Sequence, residues 1–88
     1  MTYKETIKEA IARSGKSLTF ISRKCFAEGV DISPSYLSKL QTGKLQPASD
    51  KVNAVLAKVL GLDFAELQVL AYKEKIPASV LERLKGTA

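Results

Sequence analysis

The chain has 88 residues and a formal charge of +5, from 14 Lys and Arg against 9 Asp and Glu, with one cysteine and no histidine. That length supports one hydrophobic core rather than two. The lack of histidine removes the commonest general base and the commonest metal ligand, so composition argues against a Ser-His-Asp or Cys-His enzyme and against an ordinary zinc site.

A first helix is expected from Tyr3 to Arg13. Thr2 and Glu5 are spaced as a capping box at its start, Ile7, Ala10 and Ile11 form an inward stripe, and Ser14-Gly15 ends it. A second helix is expected from Ser17, as N-cap, to about Ala27. Leu18, Ile21 and Cys25 recur at three and four residues along it, the spacing of an inward face. Glu28 to Ile32 then reads as a turn broken at Gly29.

Residues 33–42 carry the strongest local signals. Ser33 is an N-cap and Pro34 fits the first helical position, which needs no amide hydrogen. Gly43 supplies the left-handed closing residue. Leu37 and Leu40 bury one side, which leaves Ser35, Tyr36, Ser38, Lys39 and Thr42 outward, all hydrogen-bonding types and none acidic. After a loop holding Leu45 as an apolar plug and Pro47, a fourth helix is expected over 50–60 with Ser49 as cap. Its Val52, Val55, Leu56 and Val59 form the most hydrophobic stripe in the chain and the expected centre of the core. Asp63 and Glu66 mark a second capping box for a helix from Phe64 to about Lys73, with Leu67, Leu70 and Ala71 inward. A last helix is expected over 77–85, with Val80, Leu81 and Leu84 apolar. The expected fold is therefore all-α, a bundle of five to six short helices in one domain.

Cys25 cannot form an internal disulfide, and a lone cysteine on an apolar stripe reads as core. No run approaches ~20 apolar residues, and Thr2 to Ala10 is too charged for a signal peptide, so a cytoplasmic protein without membrane contact is expected. Gly15-Lys16-Ser17 matches the tail of a phosphate-binding loop, but Ala10, inside a helix, stands where that motif needs glycine. No cofactor and no small-molecule substrate are implied.

Charge is uneven along the chain. Residues 1–44 hold eight Lys and Arg against four acids, and residues 45–88 hold six against five. The excess falls in the half containing the 33–42 helix, although a few net charges also serve plain solubility. Two consecutive helices joined by a turn can set one helix in the major groove while the other braces it. Ser35 and Lys39, one turn apart, would then meet base edges, since Lys donates to guanine O6 and N7 and Ser pairs with several bases. Tyr36 is balanced between packing on the second helix and bonding a sugar or phosphate.

The run Ser-Pro-Ser-Tyr-Leu-Ser-Lys-Leu-Gln-Thr-Gly-Lys-Leu-Gln-Pro resembles the third-helix signature of Cro/lambda-repressor-like (XRE-type) helix-turn-helix regulators. Gly61-Leu62-Asp63-Phe64 with Leu67 is similar to the family's stretch after its fourth helix, and the likeness covers about residues 4–72. The chain departs from the pattern in a path about four residues longer between the second and third helices, and in Gln41 where the family often has Glu. The resemblance implies a lambda-repressor-like helix-turn-helix domain. Its function would be that of a sequence-specific double-stranded DNA-binding transcriptional regulator, a small prokaryotic or phage repressor. Base reading then falls to Ser33, Pro34, Ser35, Tyr36, Ser38 and Lys39. Phosphate contact falls to Lys16, Ser17, Thr19, Arg23, Thr42 and Lys44. The apolar positions of the C-terminal helices either close the core or form a homodimer face. The competing reading is a protein-interaction module, an antirepressor or adaptor that keeps the fold and binds a protein partner.

Overall fold

The structure is a computed structural model and describes residues 1–75, which form five α-helices and no strand. These are α1 (Tyr3–Ser14), α2 (Leu18–Ala27), α3 (Pro34–Thr42), α4 (Asp50–Leu60) and α5 (Phe64–Lys75). The helix expected over 77–85 lies outside the described residues. No described helix is long and apolar enough to cross a membrane.

Local chemistry sets the helix ends. The Thr2 hydroxyl accepts from the Glu5 amide while the Glu5 carboxylate accepts from the Thr2 amide, a complete capping box. These bonds to Thr2 also hold the Glu5 carboxyl below its usual range. Ser17, Ser33 and Ser49 each accept from the amide three residues on, and Asp63 accepts from Glu66 at 3.0 Å.

The core draws on every element. Tyr3, Ile7 and Ile11 of α1 meet Ile21 and Cys25 of α2, Leu37 and Leu40 of α3, Leu56 and Ala57 of α4, and Leu67 and Ala71 of α5. Val30 and Ile32 of the α2–α3 connection are also buried, so that segment is pinned rather than slack. Its far end is held by the Ser22 hydroxyl, which donates to the Ile32 carbonyl. Burial pushes the Cys25 thiol up, as expected for a cysteine that serves as packing.

Two expectations about the core are corrected. Leu45 is 39% exposed and plugs nothing; the buried residue of that loop is Ala48. On α4, Val52, Val55 and Val59 are only half-buried, and the face turned inward carries Asn53, Leu56 and Ala57. Asn53 is fully buried because each polar atom finds a partner. Its carboxamide oxygen accepts from the Tyr3 hydroxyl at 2.5 Å, and its nitrogen donates to the Ala48 carbonyl and to Gln68 Oε1. The Ala48 amide donates in turn to the Tyr3 oxygen at 3.3 Å. A buried polar knot therefore occupies the place where hydrophobicity alone puts valine.

Candidate nucleic-acid interface

The two faces of α3 differ sharply. Leu37 and Leu40 are 0% and 1% exposed, so the helix is anchored on one side. At about 100° per residue the opposite side carries Ser35, Lys39 and Thr42, all exposed, with Ser38 half-buried beside them. No acid lies on the helix, and Lys39 makes no ion pair among the described residues.

The flanks are set by neighbouring helices. Tyr36 is half-buried and packed against the core, close enough to Tyr3 to add to that phenol's reluctance to ionise, while its own phenol is pushed up by burial. Pro34 is half-buried at the start of the helix, and Ser33 is exposed with its oxygen accepting from the Tyr36 amide. That bond uses an acceptor and leaves the Ser33 hydroxyl hydrogen available to a ligand.

At the far end, Gly43 adopts φ +79° and its amide and that of Lys44 bond back to Leu40 and Lys39. A side chain there would be strained in that backbone region, and a Cβ would also lie 2.7 Å from Lys4 Cδ. Lys4 of α1 thus lies across the end of α3, where the helix dipole favours a cation. It comes to the same end of the helix as Gly43, next to Lys44 in sequence. Sequence reasoning missed Lys4, because only its reach across α1 and α3, not its spacing, brings it there.

The expected phosphate contacts lie on several elements. The Thr42 hydroxyl donates to the Ser38 carbonyl at 2.9 Å, so its hydrogen is committed to the backbone. Around α2, Thr19 and Arg23 are one turn apart on the side of Ser22, which tethers the start of α3, and both are exposed. Ser17 caps α2, whose first amides have no partner within the helix. Lys16 lies just before that cap. Its ammonium lies 5.1 Å from the centre of the Phe20 ring, in a hollow shared with Lys58 of α4.

Among the described residues no group of His, Cys, Asp and Glu could hold a metal ion. No protein-family model, curated protein or solved structure matches the chain.

Proposed function

We propose that this chain is a double-stranded DNA-binding regulator of helix-turn-helix type, with α3 entering the major groove and α2 bracing it. The observation that carries this reading is the outer face of α3. It is exposed, rich in hydrogen-bonding side chains, cationic at its C-terminal edge and free of acids, while Leu37 and Leu40 fix its back. Such a face suits base edges and phosphates together. Ser35 and Lys39 are the readers in this scheme, with Ser33, Pro34 and Ser38 bordering them. Lys44, Lys4, Arg23, Thr19 and the amide-rich start of α2 hold the backbone.

The resemblance to Cro/lambda-repressor-like regulators supports the same assignment, with repression by a small cytoplasmic protein as the corresponding role. Val69 and Tyr72 of α5 are exposed and offer a face for a second copy on a two-fold site. The test is affinity for duplex DNA across a salt series. Log K is expected to fall by ~0.9 per phosphate contact as log salt rises. Absence of binding at every salt concentration would move the protein to the adaptor class.

A further inference from the structure

We infer that the face between α2 and α4 is a docking surface for an acidic, apolar-anchored segment of a partner protein. This is a second interaction site, separate from the outer face of α3 and independent of the DNA reading.

Three observations meet there. Phe20 is 40% exposed, and the ammonium groups of Lys16 and Lys24 lie 5.1 and 5.4 Å from its ring centre. Beside the ring opens a hollow of about 290 Å³ whose apolar walls include Ala27, Val59 and Leu60. Lys58 stands at its rim, paired at 2.9 Å with Glu28. The lone acid of the hollow is therefore already engaged, and the field around the ring is cationic.

Charge and shape together select the occupant. A second copy would bring lysines against lysines. Residues 76–88 of this chain hold Arg83 and Lys85 against Glu82, so they too are net cationic. A phosphate backbone would satisfy the lysines but leave the ring and the apolar walls without a partner. A protein segment with carboxylates flanking a leucine or phenylalanine satisfies all of them: the anchor fills the hollow, and the carboxylates take the lysines. No residue of α3 lines the hollow, so its occupation leaves the outer face of α3 uncovered.

The test is titration of the full chain, followed residue by residue by NMR, with a synthetic amphipathic peptide bearing Glu on one face and Leu and Phe on the other. Shifts are expected to centre on Phe20, Ala27 and Val59. Phe20→Ala, and separately Lys16→Gln with Lys24→Gln, are each expected to weaken binding by about tenfold. Replacing the peptide's Glu by Gln is expected to do the same. The two lysine changes lie on exposed positions and keep the test valid if Phe20→Ala fails to fold. Shifts centred on Lys39 and Lys44, or unchanged affinity in the lysine variant, would overturn the proposal. So would random duplex DNA producing the same shifts at Phe20, or self-association through this face.

Discussion

The phenol of Tyr3 and the carboxamide of Asn53, fifty residues apart in sequence, meet at 2.5 Å in the centre of the protein. Through Ala48 and Gln68 the same contact reaches the α3–α4 loop and α5. The loop that follows the proposed reading helix is thus fastened to the first and fourth helices by polar bonds, which are directional where apolar packing is not.

Alkaline unfolding is expected to report on Tyr3. Burial pushes its phenol up from an ordinary 10.0 to about 12. Between those values the unfolded chain has lost the proton and the folded chain retains it, so stability falls as pH rises through the window. Below pH 10 the contribution is fully present. The loss sums to roughly 2–3 kcal/mol. Tyr3→Phe is expected to flatten this limb while costing roughly 1–3 kcal/mol at neutral pH, because buried polar groups of Asn53 and Ala48 lose their partner. Urea midpoints measured against pH check both effects; an unchanged alkaline limb in the variant would assign the loss elsewhere.

Core and loop leucines are expected to separate cleanly. Leu37→Ala, at a fully buried site, is expected to cost about 2–5 kcal/mol. Leu45→Ala, at a site 39% exposed, is expected to cost much less, within about 1 kcal/mol. Thermal denaturation of the two variants side by side decides this, and equal losses would restore Leu45 to the core.

Specificity is expected to reside in Ser35 and Lys39. Alanine at either position is expected to cost roughly 1–3 kcal/mol on the preferred duplex and far less on random sequence. Binding curves on both duplexes are the measurement. Equal losses on the two would reclassify these side chains as backbone contacts.

Cations around α3 are expected to behave differently from those around Phe20. Lys44→Ala and Lys4→Ala are each expected to reduce the salt slope by about one, with similar weakening on all DNA sequences. Lys16→Ala is expected to leave the slope unchanged, since its ammonium is engaged over the Phe20 ring. A slope that responds to Lys16 but not to Lys4 would reverse this map.

Helix positions and caps were legible in the chain because they depend on neighbours three or four residues away. Thr2 with Glu5, Ser17, Ser33 with Pro34, Ser49 and Gly43 all act locally, and each appears at the expected helix end. The inward face of α4 was legible only in part: Leu56 is buried as expected and the three valines pack at its margin, but Asn53 was not foreseen. Counting apolar residues selects Val52, Val55 and Val59, whereas Asn53 is buried only because Tyr3 and Gln68 arrive from distant helices to satisfy it. The candidate interface divides in the same way. Ser35 and Lys39 follow from their spacing against Leu37 and Leu40. The reach of Lys4 to the end of α3 follows from how helices are arranged, which no local pattern encodes.

The tether from Ser22 to the Ile32 carbonyl gives the α2–α3 corner an adjustable joint. That hydroxyl acts together with buried Val30 and Ile32, which hold the same connection against the core. Exchange of that serine in a descendant sequence would re-aim the helix while Ile21, Cys25 and Leu37 kept their places.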